Sequence, residues 1–210
     1  MSHITKIKGA KLRSKDLLVQ ALLELGYFIE ASLTDENSLT AVTPWQKTPV
    51  NILAAYQIEK RNKAAKAELR NFGFVAKHDD KGVYYELQAD CYATNKTAKQ
   101  LMVEVTQRYV GQAAAMVYAQ QQFDQVGADM VGAGYQIDMQ RADVKALARV
   151  EIIVDADGEV IEHVTGVTGA ECQSITSAFD QLLDGQIDFQ AKPEYFQVDQ
   201  FGADLEQTTW

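Results

Sequence analysis

The sequence predicts an α+β protein: an antiparallel sheet with two main helices, followed by a small ββα module and an acidic tail. Three observations predict it. Short runs with strand character are joined by turn residues, apolar stripes recur at helical spacing, and the charge changes abruptly near Arg149. Residues 1–148 carry 18 Lys/Arg against 16 Asp/Glu, whereas residues 149–210 carry only Arg149 and Lys192 against 13 Asp/Glu. Nearly all of the net charge of −9 therefore belongs to the last third. That asymmetry divides the chain into an N-terminal α+β domain over 1–148, a ββα module over 149–185 and an acidic aromatic tail over 186–210.

Ile4–Lys8 alternates apolar and polar residues and is expected as a strand. Ser14 stands at a helix N-cap position with Asp16 in the first turn. Leu17, Leu18, Ala21, Leu22 and Leu25 follow at helical spacing, and Gly26 supplies the stop. Tyr27–Leu33 has β-compatible composition. Val50–Ile58 fits a strand or a helix start, and Lys60–Lys66 a helical turn or an exposed loop. Two strand-like runs, Ala67–Ala76 and Val83–Leu87, flank the turn residues His78–Gly82 and predict a hairpin.

A long helix is expected from Thr94 or Asn95, with Leu101, Met102, Val105, Tyr109, Ala113, Met116 and Val117 on one face and Gly111 as a possible kink. Val131–Met139 has the character of a further strand. Val150–Val154 and Glu159–Val167 flank Asp155-Ala156-Asp157-Gly158, a strong turn signal. A helix then runs from about Cys172 to Leu183, stopped by Gly185, with Ile175, Ala178, Phe179 and Leu182 as its apolar face. A ββα unit of this size is too small to stand comfortably alone. Beyond Gly185 the sequence is acidic and aromatic with no evident regular pattern.

An apolar fraction of 47% is ample for a packed core. No apolar leader follows Met1 and no stretch approaches the ~20 apolar residues of a membrane helix, so a cytoplasmic protein is expected. Cys91 and Cys172 are read as free thiols of a reducing compartment. The acidic balance speaks against nucleic acid as a partner.

Met1-Ser2-His3 with the Ile-x-x-Ile pair, Tyr84-Tyr85-Glu86-Leu87-Gln88-Ala89-Asp90 and Val105-Thr106-Gln107-Arg108-Tyr109 carry a likeness over about residues 1–140. They resemble the conserved hypothetical chloroplast reading frame thirty-five family of cyanobacteria and plastids. Leu39–Lys66 departs from that family's pattern. Residues 149–196 resemble a second small family of unknown function, through Asp157-Gly158-Glu159-Val160, Val164–Cys172 and Pro193-Glu194-Tyr195. The two resemblances imply a fusion of usual neighbours and, by association, an AAA+ ATPase and a ferredoxin nearby. They imply no assigned catalytic residues.

Cys172 is the sharpest catalytic candidate, because Gly166-x-x-Gly169 leads it into a helix start where the dipole favours a thiolate. The alternative is a small core residue. The same glycines could cradle a phosphate, but the Lys-Ser/Thr of a P-loop is lacking. Asp155-x-Asp157-Gly158 lacks the later ligands of a calcium loop, and His3, His78 and His163 are too scattered for zinc, so no metal and no cofactor are expected. Asp90 and Arg108 are candidates for a structural ion pair near Tyr109.

Lys60, Arg61, Lys63 and Lys66 form the notable basic run, and Tyr195, Phe196, Phe201 and Trp210 are aromatic anchors among acids. Both are candidate partner-binding elements, against solvated surface and disordered tail. The expectation is a non-enzymatic binding or adaptor protein, with an AAA+ ATPase as the partner the resemblance implies. A thiol or redox-linked protein using Cys172 and a self-assembling structural protein are the rivals.

Overall fold

The computed structural model describes residues 2–29, 52–57, 72–89, 97–142, 147–167 and 170–191 of the 210. Strand β1 (Ser2–Lys8) leads through Arg13 to helix α1 (Lys15–Glu24). Ser14 caps α1, its hydroxyl accepting from the Leu17 amide. Strands β2 (Tyr27–Ile29), β3 (Ile52–Gln57), β4 (Phe72–Asp79) and β5 (Gly82–Ala89) form a four-stranded antiparallel sheet in that order. The stretch left between strand and helix start is thus a strand, and β4 and β5 are the expected hairpin.

Helix α2 (Ala98–Gln120) begins at a capping box formed by Thr97 and Gln100, slightly later than the apolar stripe suggested. It runs unbroken through Gly111, where a Cβ would lie 3.3 Å from the Tyr135 ring. The glycine therefore serves close approach rather than a kink. Leu101, Val105, Tyr109, Ala113 and Val117 are buried, while Met116, expected with them, is exposed.

Strands β6 (Asp124–Val131) and β7 (Gly134–Ala142) form a hairpin around Gly132, where the sequence suggested one strand. Gly132 has φ +62°, and that turn geometry divides the segment. Strand β8 (Leu147–Val154) turns at Asp155–Gly158 into β9 (Val160–Thr165), followed by helix α3 (Ala170–Leu183) and β10 (Gln186–Ala191). The Asp155 Oδ1 accepts from the Asp157 and Glu159 amides at 2.8 and 2.9 Å, which fixes the turn.

All six strands of the larger sheet are antiparallel, in the order β10-β1-β9-β8-β7-β6. The N-terminal strand thus lies between two strands from the far end of the chain. The expected boundary at 148/149 falls inside β8, and the first six residues of the expected tail are β10. Strand β10 escapes a local reading because it is a polar edge strand whose partner is some 180 residues away in sequence.

Period-two alternation turns Thr5 and Ile7, Ile137 and Met139, Val150, Ile152 and Val154, and Val160, Glu162 and Val164 toward the helices. Helices α2 and α3 cover them together, α2 over β7 and β8 and α3 over β1 with Cys172, Ile175, Thr176, Phe179 and Leu183 buried; Ala178, expected on this face, is exposed. The left-handed residue ending α3 is Asp184 at φ +45°, not Gly185. Gly185 is small because a Cβ there would lie 2.7 Å from the Lys8 carbonyl oxygen and closer still to the Ile7 side chain. Among the described residues no helix is long and apolar enough to cross a membrane.

One polar clamp joins the two sheets. The Arg13 guanidinium donates to both Asp79 carboxylate oxygens at 3.0 and 2.8 Å and to Asp184 Oδ2 from Nε at 2.7 Å. Lys11 joins Asp79 at 2.5 Å, and Lys81 reaches Asp184. Arg13 and then Lys11 hold the Asp79 carboxyl below the usual carboxylate range, and Lys81 and then Arg13 do the same for Asp184. Carboxylates with lowered folded pKa contribute stability above their unfolded pKa that is lost as pH falls through the folded one. Arg13→Ala is therefore expected to lower the unfolding midpoint at pH 7 and to flatten its dependence on acid between pH 5 and pH 2. An unchanged acid profile in urea titrations would show that the clamp does not act on stability.

Candidate functional site

The outer face of the larger sheet carries the alternate residues of the same strands. On β7 these are Gln136, Asp138 and Gln140, on β8 Arg149, Glu151 and Ile153, and on β9 Ile161, His163 and Thr165. Antiparallel register sets Asp138 opposite Glu151 and Glu151 opposite His163, giving a row of three titratable groups across three strands. Gln136 Nε2 donates to Glu151 Oε1 at 2.9 Å and to Asp138 Oδ1 at 3.2 Å, so one amide bridges two like charges. His163 Nδ1 lies 3.5 Å from Glu151 Oε2, close enough to pair when protonated.

Asp138, Glu151 and His163 line a groove of about 410 Å³ together with Gln140, bordered by Arg149 and Thr165 on one side and Val126 on the other. Gly127 helps to form it: a Cβ there would lie 3.1 Å from Asp138 Oδ2, so its absence leaves Asp138 room beside β6. The groove offers carboxylate and amide acceptors, a guanidinium and a hydroxyl on a rigid sheet, which suits hydrogen-bonded recognition of another surface. Among the described residues no three His, Cys, Asp or Glu side chains are placed to hold a metal ion.

A second polar cluster lies on the inner face of the sheet. Tyr118 on α2 donates from its hydroxyl to Glu162 Oε1 at 2.6 Å, and Asp180 on α3 faces the same glutamate. Glu162 and Tyr118 have no exposure to solvent. Burial, and then the charge of Asp180, pushes the Glu162 carboxyl well above its ordinary range. Burial likewise raises Asp180 and, together with the Glu162 charge, raises the Tyr118 phenol. Glu162 and Tyr118 therefore offer no surface on which to meet a substrate.

Cys172 is the third residue of α3, as its candidacy required, but it is fully buried and donates from Sγ to the Val167 carbonyl at 3.5 Å. A buried thiol of this kind is shielded from attack. The Arg108 guanidinium lies over the Tyr135 ring at 4.8 Å; its expected partner Asp90 lies outside the described residues. So do Lys60, Arg61, Lys63, Lys66, Tyr195, Phe196, Phe201 and Trp210.

The Asp138–Glu151–His163 row, the buried Glu162 and the Arg13 clamp were not singled out from sequence. The signal for Glu162 was present: alternation in Val160-Ile161-Glu162-His163-Val164-Thr165 puts Glu162 inward with two valines and His163 outward.

Residues 150–196 match a family model described as a protein of unknown function (DUF2997). The match takes in most of β8, all of β9, α3 and β10, and the following few residues. No curated protein and no solved structure matches the chain.

Proposed function

We propose that the chain is a non-enzymatic binding or adaptor protein of the cytoplasm, and that a protein partner engages the outer sheet face at its β6 edge. The observation that supports this reading is the placement of the groove beside an edge strand. Val126 of β6 lines it and is more than half exposed, as are Met130 and Val131 further along the same strand. An edge strand presents backbone N–H and C=O groups on its open side, and an extended segment of a partner pairs with them while its side chains enter the neighbouring groove. Asp124 and Asp129, with a bulge between Gln125 and Gly127, discourage indiscriminate pairing and favour a partner that answers their charge.

The resemblance over residues 1–140 supplies the partner class, an AAA+ ATPase. The test is affinity purification of the full-length chain with and without ATP, beside Val126→Lys, a substitution at an exposed position that lines the groove. The expected result is retention of an AAA+ ATPase, reduced about tenfold by the lysine, the effect of removing one good interface contact. Equal retention by both chains would place the interface elsewhere. Retention of nothing would remove the adaptor reading, and retention of the chain's own copies alone would favour the self-assembling alternative.

A further inference from the structure

We propose that Glu162 and Asp180 bind a single shared proton in the core, and that this proton holds α3 against the six-stranded sheet. The site stands apart from the groove on the other face and does not depend on the adaptor reading. It is assembled by elements distant in sequence. The alternation of β9 sends Glu162 inward, α2 brings the Tyr118 hydroxyl to Glu162 Oε1 at 2.6 Å, and α3 brings Asp180, which is hydrogen-bonded to Thr176. Strands β1 and β8 place Thr5 and Ile152 directly opposite Glu162. The ring of Tyr118 is fixed between Phe123 and Phe179, each 5.6 Å away between centroids.

The titratable groups facing Glu162 are therefore Tyr118 from α2 and Asp180 from α3, and no described cation figures in its surroundings. Glu162 Oε2 and Asp180 Oδ1 are both buried, and no donor from another described residue reaches either atom. If both carboxyls were ionised, two acceptors would face each other without a proton between them. One proton converts the pair into donor and acceptor: Glu162 donates to Asp180, while its Oε1 continues to accept from Tyr118. The net charge of the pair is then −1 rather than −2, which a low-dielectric core tolerates far better.

The direction of the pH effect follows. Burial raises Glu162 first and the charge of Asp180 adds to it, so the folded state keeps a proton that the opened state releases once pH exceeds the ordinary carboxyl range. Stabilisation from the proton is complete below the unfolded pKa and is lost as pH rises through the folded one. Loss of the proton leaves Asp180 repelled from β9, and α3, which carries it, is the element that opens.

Two measurements on the full-length chain test the proposal. Carboxyl ¹³C NMR of labelled glutamate, with Glu162 assigned by the signal missing from Glu162→Gln, is expected to show the protonated shift at pH 6, where an exposed glutamate is ionised. Amide hydrogen exchange across α3, corrected for intrinsic rates, is expected to give an opening constant that rises up to tenfold per pH unit above the carboxyl range, the signature of one released proton. In Glu162→Gln, whose amide donates permanently to Asp180, that slope disappears. Should Glu162→Gln fail to fold, Asp180→Asn assigns Glu162 as the glutamate resonance it displaces most, and its amide donates to Glu162 in place of the shared proton, so the slope falls. An ionised shift for Glu162 at pH 6, or a slope in the variants equal to that of the parent, overturns the proposal.

Discussion

Gly166→Ala is expected to destabilise the protein by about 3 kcal/mol, enough to move most of a marginal domain's stability. Gly166 has φ +80°, where an alanine pays roughly 1–2 kcal/mol for its Cβ. The larger effect is steric. A Cβ at this position would lie 2.8 Å from the Leu147 carbonyl carbon and 3.2 Å from the Ala148 Cα, and would overlap the Leu147 carbonyl oxygen. These are backbone atoms at the start of β8, so no side-chain rotation relieves the overlap. The strand must move, and with it the Arg149–Thr165 pairing and the packing of buried Ala148 and Val150. Overpacking of this kind costs about 1–3 kcal/mol.

Gly26 is the control: its φ is +82°, but nothing lies within 4 Å of its would-be Cβ. Urea unfolding of Gly166→Ala and Gly26→Ala separates the two effects, since both carry the dihedral strain and only the first carries the clash. Equal midpoints would show that β8 does not approach Gly166 as described.

What the sequence made legible was local. Ser14 identified the α1 cap, and Asp155-Ala156-Asp157-Gly158 identified the β8–β9 hairpin, because each structure is built from bonds within a few residues. The Gly132 turn was passed over because no paired strand run marked it. What failed was long range. Nothing in Ser2–Lys8 says that its neighbours will be Val160–Thr165 and Gln186–Ala191, since both pairings rest on register and burial set by the whole sheet.

The same limit explains the candidate site. Glutamate, aspartate and histidine at 151, 138 and 163 are ordinary surface residues in a linear reading and become a row only when β7, β8 and β9 are aligned. Arg13 likewise gains meaning only when the β4–β5 hairpin and the end of α3 converge on it. The charge break near Arg149 is real in composition, yet it runs through a strand. Composition reports the surface a segment presents, whereas strand pairing depends on which faces are apolar, and the two need not change at the same residue.

A fragment of residues 149–210 is expected to be unfolded alone and to regain structure when mixed with residues 1–148. Its βs and helix make a unit too small to bury its own apolar surface. Within the whole chain that surface is covered by elements the fragment lacks. Strand β1 pairs with β9 on one side and β10 on the other, so its loss leaves β10 without a neighbour in the sheet. Strand β7 pairs along all of β8, from Tyr135–Val154 to Ala142–Leu147. Val150, Ile152, Val154, Val160, Val164 and Phe179 are at most 1% exposed in the intact protein, and part of their cover comes from β1, β7 and α2. Uncovering even two such side chains costs about 3–6 kcal/mol, more than a module of this size can lose. Amide dispersion in ¹⁵N spectra and far-ultraviolet circular dichroism read the outcome directly. Dispersed resonances and a cooperative melt from the isolated fragment would mean that it folds without β1 and β7, and the six-stranded sheet would then be a docking of two independent units. Structure gained only on mixing would mean that the acidic last third and the near-neutral remainder are one folding unit, joined by strands that cross the charge break.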